Sequence, residues 1–202
     1  EIRKRGGKAM FLGPLRSLTQ EKIDEWTDEK HHFKNCNVSI CTGDYRLTPK
    51  RRQELEEANL IIMTSEMLNS RCRNYRSENN QWLQDIGTLI VDEAHLLTVP
   101  GRGDHLEVGL MKFAKLNPKA RIVFLSATIP NAEEISGWLS ESLTGLDTFF
   151  IESEFRPVPL KVHYPVYHDS GTYAEKEEEK IEKAIECLDE YPDDKFLIFV
   201  HS

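Results

Sequence analysis

The 202 residues are 39% hydrophobic, 30% charged and 9% aromatic, an ordinary globular composition that excludes collagen-like and disordered chains. No apolar run approaches the ~20 residues of a membrane-spanning helix, and the charged opening over residues 1–8 is not a signal peptide. The net charge of −8 argues against a surface coated throughout by nucleic acid, but it hides an asymmetry. The first 52 residues hold twelve Lys/Arg against seven Asp/Glu, and the remainder holds 14 against 27. A polyanion is therefore expected to meet the first quarter of the chain, if it meets any part. The four cysteines form no CxxC pair, which fits a reduced, intracellular protein whose compartment the sequence does not fix.

Short runs of Ile, Val, Leu and Phe predict strands at residues 9–12, 38–41, 60–64, 88–91, 122–125 and 148–151. Apolar residues on consecutive positions suit a parallel sheet covered on both faces. Amphipathic stretches between them predict helices at 18–30, 49–58, 66–74, 106–116 and 132–143. Leu106, Leu110 and Phe113 fall on one face of the fourth. Strand–helix alternation implies right-handed crossovers and an open α/β sheet. The pattern changes near residue 152. Pro157 and Pro159 predict an extended connector, residues 162–167 alternate as a strand, 173–190 reads as an acidic helix, and 196–200 as a buried strand. The expected organisation is a first domain over 1–152, a linker over 153–171, and the start of a second α/β unit over 172–202.

The most informative residues stand at strand ends. The fourth strand runs into Asp92-Glu93-Ala94-His95. Ligands of open α/β sheets bind outside the carboxyl ends of strands. A carboxylate there suits Mg²⁺, and its neighbour can orient or deprotonate a water. The competing possibility is a pair of acids capping the next helix. Ser126-Ala127-Thr128 ends the fifth strand, where hydroxyls serve caps and turns as readily as they link strand tips. Gly13-Pro14-Leu15-Arg16-Ser17-Leu18, Thr42-Gly43-Asp44 and Thr64-Ser65-Glu66 occupy three further strand ends. Together they suit a groove tracking a phosphate backbone, whereas each alone reads as an ordinary cap.

In order along the chain, these residues resemble the motifs of superfamily 2 nucleic-acid helicases of the DEAD/DEAH-box kind. GPLRSL is similar to motif Ia, TGD and TSE to the Ib region, VDEAH to motif II, SAT to motif III, and FLIFVHS to motif IV of a second RecA-like domain. Arg102-Gly103 with Leu106-Glu107, SATIPN and FRPVPL resemble the superkiller-type branch. The resemblance implies a RecA-like parallel sheet flanked by helices and a motor that spends ATP, with Mg²⁺, on unwinding DNA or RNA, DNA being favoured. It implies that Asp92 holds Mg²⁺ through water and Glu93 activates the hydrolytic water. It makes His95 the link to Ser126 and Thr128. Pro14, Arg16, Ser17, Gly43, Thr64, Ser65 and Glu66 would shape the strand-binding groove, with His201 and Ser202 as the second domain's share. The sequence departs from the family in one respect: it contains no GxxxxGK(S/T) phosphate loop. That loop is expected before Glu1 and the later motifs after Ser202, so the chain by itself is expected to lack ATPase activity. The alternative is a helicase-like remnant that binds nucleic acid or a protein without catalysis.

His31, His32, Cys36 and Cys41 match no zinc-finger spacing, and no metal is expected there. Trp26, Trp82 and Trp138 are expected to pack rather than to stack on bases, and Tyr45 is a candidate for such stacking.

Overall fold

The computed structural model describes residues 7–28, 36–43, 48–127, 129–153, 155–166, 171–193 and 195–199. The chain falls into two compact units, Glu1–Ile151 and Glu152–Ser202.

The first unit is built on five parallel strands, β1 (Lys8–Gly13), β2 (Val38–Cys41), β3 (Leu60–Thr64), β4 (Ile86–Val91) and β5 (Arg121–Phe124), in the order β2-β3-β1-β4-β5. Four helices connect them: α1 (Arg16–Thr27), α2 (Pro49–Glu57), α3 (Ser65–Arg73) and α4 (Gly103–Leu116). A fifth, α5 (Ala132–Gly137), follows β5 and winds on as a π-helix over Trp138–Thr144.

The strand order decides which face each helix covers. The first crossover runs from β1 past β3 to the edge strand β2, and the next three run back in the opposite direction. With right-handed crossovers, that reversal leaves α1 alone on one face and puts α2, α3 and α4 on the other. The core divides accordingly. Ala9, Phe11, Ile40, Leu60 and Ile62 pack with Ile23 and Trp26 of α1. Met10, Leu12, Ile61, Met63, Leu89 and Val91 pack with Leu55 of α2, Leu68 of α3, and Leu106, Leu110 and Phe113 of α4. β3 is buried at all five positions, as a strand sandwiched between helices must be. Phe11 meets Trp26 edge-on at 5.1 Å, Trp82 is buried, and Trp138 packs against the larger cluster, so all three tryptophans serve packing.

Local chemistry sets the boundaries. Pro49 opens α2 and the Thr48 hydroxyl accepts the Arg51 N–H at 3.3 Å. The Lys8 ammonium, at the start of β1, donates to the carbonyls of Leu55, Glu56 and Ala58 and so closes the C-terminal end of α2.

The structure corrects three predicted strands. Residues 148–151 form no strand, with Phe149 83% and Ile151 87% exposed. The described parts of 162–167 and 196–200 are likewise irregular, with Tyr164, Val166 and Phe199 exposed. These segments have strand composition but no hydrogen-bonded neighbour among the described residues, and composition cannot replace one. Two 3₁₀ segments, Glu78–Asp85 and Ala94–Thr98, were not expected. In the second unit, α6 (Tyr173–Glu190) begins with a capping box, the Thr172 hydroxyl accepting the Glu175 N–H while the Glu175 carboxylate accepts the Thr172 N–H at 2.6 Å. The Thr172 amide holds the Glu175 carboxyl below the usual carboxylate range. No described helix is long and apolar enough to cross a membrane.

Candidate functional site

Because all five strands run parallel, every predicted motif that follows a strand emerges on one rim of the sheet. Read across the rim, Thr42-Gly43 comes from β2, Ser65-Glu66 from β3, Gly13-Pro14 with Arg16 from β1, Asp92-Glu93-His95 from β4, and Ser126 from beyond β5. Of the residues expected to touch a nucleic-acid strand, those that follow β1, β2 and β3 therefore share the β2-β3-β1 half. The carboxylates share the β4-β5 half with His95 and Ser126.

The two halves meet at β1. The helix after β1 lies on one face, and the helices after its neighbours β3 and β4 lie on the other. This is the topological switch point at which open α/β sheets bind ligands. A narrow crevice opens there, lined by Gly13 at the end of β1 and Pro14 after it, Ser65 and Glu66 after β3, Asp92 and Leu96 after β4, and Arg102 ahead of α4.

The tip of β4 is tied down by backbone on both sides. The Asp92 N–H donates to the Leu12 carbonyl at 3.0 Å, the Leu125 N–H to the Val91 carbonyl at 2.8 Å, and the Ala94 N–H to the Leu125 carbonyl at 2.9 Å. Between these ties Glu93 adopts the left-handed conformation (φ 51°, ψ 48°), the one described non-glycine residue with positive φ. That conformation costs a side-chain-bearing residue roughly 1 kcal/mol or more, so the surroundings hold it in place. One holder is Asp92, whose Oδ1 accepts the Glu93 N–H at 3.0 Å. Beyond the turn, His95 Nδ1 lies 3.1 Å from Glu93 Oε2 and 3.3 Å from Ser126 Oγ. A proton on Nδ1 would make the first contact a hydrogen bond donated to the carboxylate. The imidazole thus joins the acid at the tip of β4 to the hydroxyl beyond β5. On α1, Lys22 is held above the ordinary lysine range, chiefly by its hydrogen bond to Glu25 and in smaller part by the charge of Asp92.

On the other half, two close approaches gather the residues. A Cβ on Gly13 would lie 2.6 Å from Thr19 Cγ2, so only glycine lets α1 start so near the end of β1. Buried Thr19 completes that turn by donating its hydroxyl to the Arg16 carbonyl at 2.7 Å. The Arg16 guanidinium rests on Gly43, where a Cβ would meet Nη2 at 3.2 Å. Arg16 and Gly43, 27 positions apart in sequence, are thereby neighbours. Thr64 is buried under the start of α3, and neither Thr64 nor Leu15 caps its helix through its side chain.

Ser17 lies on the first turn of α1 and is exposed. Thr128, His201 and Ser202 lie outside the described residues, as do Asp44, Tyr45, His31 and His32. Cys41 is buried at the end of β2, and no group of three potential metal ligands occurs among the described residues. One lining residue, Arg102, had no role among the sequence-based expectations. Its signal was present in the Gly101-Arg102-Gly103 run, but only the folded loop brings that run back to β1 and β3.

The parallel five-stranded sheet with helices on both faces is a RecA-like α/β fold. Two solved structures share it. One is the Mycobacterium smegmatis helicase Lhr bound to ssDNA and AMP-PNP (TM-score 0.57, 23% identity, 90% of this chain and 25% of that one). The other is the Pyrococcus furiosus Hef helicase domain (TM-score 0.56, 18% identity, 77% and 30%). The family model of the DEAD/DEAH box helicases matches residues 1–135, and the chain belongs to that family. Among curated proteins it is similar to the ATP-dependent DNA helicases Hel308 of Methanococcus vannielii (37% identical over 172 residues, 85% of this chain) and Methanocella arvoryzae (38% over 159 residues, 77%). The chain spans 19% and 20% of the lengths of these relatives.

Proposed function

We propose that the protein containing this chain is an intracellular ATP-dependent helicase of the superkiller-type branch, acting on nucleic acid and on DNA in preference to RNA. Residues 1–152 would form the first motor domain, 153–171 a linker and 172–202 the start of a second. One observation carries the reading: Asp92 and Glu93 stand at the tip of β4 beside the switch point, with His95 joining Glu93 to Ser126. The similarity to Hel308 proteins supports the choice of DNA. A remnant without catalysis is not favoured, since the acids, the histidine and the serine are all retained and brought together.

The donor set fits magnesium that arrives on a nucleotide. No group of three potential metal ligands occurs among the described residues, and a hard carboxylate such as Asp92 suits Mg²⁺, which keeps several waters and takes its remaining oxygens from phosphates. Asp92 would hold that ion through water. When bound, Mg-ATP supplies the phosphoryl group and the charge neutralisation of phosphoryl transfer. Glu93 would accept the proton of the attacking water, and its fixed left-handed backbone would aim the carboxylate. The His95 imidazole would hold Glu93 in place and carry its state to Ser126 and Thr128. Pro14, Arg16, Ser17, Gly43, Thr64, Ser65 and Glu66 would meet the strand, mainly along its phosphates, with His201 and Ser202 completing the groove. Binding of this kind tolerates sequence and weakens steeply with salt.

The test is unwinding by the intact protein on matched DNA and RNA duplexes, with ATP hydrolysis followed in parallel. Nucleic-acid-stimulated hydrolysis with faster opening of the DNA duplex is expected. Hydrolysis indifferent to nucleic acid, with no duplex opened, would contradict the proposal.

A further inference from the structure

The loop after β4 does two things at once. Its first residues are Asp92 and Glu93, and ten positions after Asp92 it delivers Arg102 to the crevice between the ends of β1 and β3. The path back is built for this. Gly101 turns with φ +77°. Arg102 and Gly103 both donate their N–H to the Val99 carbonyl, at 3.2 and 2.8 Å. Gly103 runs so close to the loop that a Cβ there would lie 2.1 Å from the Leu97 carbonyl oxygen. A glycine on either side thus fixes where Arg102 stands.

Arg102 is exposed, and its guanidinium makes no hydrogen bond or ion pair among the described residues. The two acids lining the same crevice, Glu66 and Asp92, make no ion pair with it either. A guanidinium that faces solvent beside two carboxylates, and pairs with neither, is available to the anion of a ligand. An extended phosphate backbone that followed Gly43, Ser65 and Pro14 along the rim would reach this crevice, which Ser65 and Pro14 line. Arginine presents the planar fork that matches a phosphate, and without it Glu66 and Asp92 would repel a polyanion there.

We propose that Arg102 binds a backbone phosphate of the nucleic-acid strand at this crevice, which makes residues 92–103 a direct tie between the strand and the carboxylates that handle the nucleotide. The inference rests on the nucleic-acid reading above and extends it to a residue outside the expected set.

The experiment titrates a fluorescein-labelled single-stranded oligothymidylate with the intact protein across a salt series. Wild type, Arg102→Ala, Arg102→Gln and Arg102→Lys are compared, with thermal midpoints measured alongside. Loss of one phosphate contact should lower the magnitude of the slope of log K against log salt by about 0.7 in the alanine and glutamine variants. Their affinity at low salt should fall on the order of tenfold, about 1.4 kcal/mol. Lysine should keep the slope. If alanine unfolds the protein, glutamine, which keeps much of the stem, carries the comparison. A wild-type slope in a folded Ala or Gln variant overturns the proposal and leaves the helicase reading intact. A wild-type protein that does not bind the strand overturns both.

Discussion

Replacing Gly103 with alanine should destabilise the protein, although the usual expectation has the opposite sign. Gly103 opens α4 with ordinary negative φ, and Gly→Ala at such a position normally stabilises by about 0.4–1 kcal/mol through the unfolded chain. Here the new Cβ would lie 2.1 Å from the Leu97 carbonyl oxygen, 2.8 Å from its carbon and 3.2 Å from the Leu96 oxygen. Those atoms are backbone and cannot swing aside as a side chain would. Restoring normal contact requires a shift of roughly 1 Å, which strains the two hydrogen bonds onto the Val99 carbonyl. Overpacking of this kind costs about 1–3 kcal/mol and outweighs the entropic gain. Gly137 is the internal control. It sits in α5, and a Cβ added there would meet nothing within 4 Å, so Gly137→Ala should stabilise by about 0.5–1 kcal/mol. Denaturant titration of both variants, followed by tryptophan fluorescence, should shift the midpoints in opposite directions. Equal shifts of the same sign would refute the account of the loop.

Lys8→Met should cost about 1–2 kcal/mol in the same titration, because three carbonyls at the end of α2 lose their charged donor. Burial pushes the Cys72 thiol up to about 12, so the folded state keeps a proton that the unfolded state releases from about pH 9 upward. Stability should therefore fall as pH rises through that window, and Cys72→Ala should flatten the fall. Thiol reagents at mildly alkaline pH should modify partly exposed Cys36 and Cys187 well before buried Cys41 and Cys72, a sequence of events that mass spectrometry can read.

The strands of the first unit were legible because parallel strands buried on both faces must be apolar at consecutive positions, as Leu60 to Met63 are. The apolar face of α4 was legible for the corresponding reason, since Leu106, Leu110 and Phe113 recur at helical spacing and are all buried. The same signal misled at residues 148–151 and in the described part of 196–200, because it reports composition and contains nothing about a pairing partner. The catalytic candidates could be found from their position after a strand. Their grouping could not, since it follows from the order β2-β3-β1-β4-β5. Arg16 meeting Gly43, and Arg102 returning to Ser65 and Glu66, depend on close approaches of Gly13 and Gly103 to atoms that the folded turn and loop bring back against them.

The claim on which the functional account depends is that Glu93, held by the β4 turn and by His95, takes the proton of the hydrolytic water. The direct measurement is nucleotide binding and single-turnover hydrolysis by the intact protein carrying Glu93→Gln, which keeps the shape of the side chain and removes its basicity. The account predicts near wild-type nucleotide affinity with hydrolysis slowed roughly 10²- to 10⁴-fold, the usual contribution of a positioned base. Hydrolysis at close to the wild-type rate would contradict it.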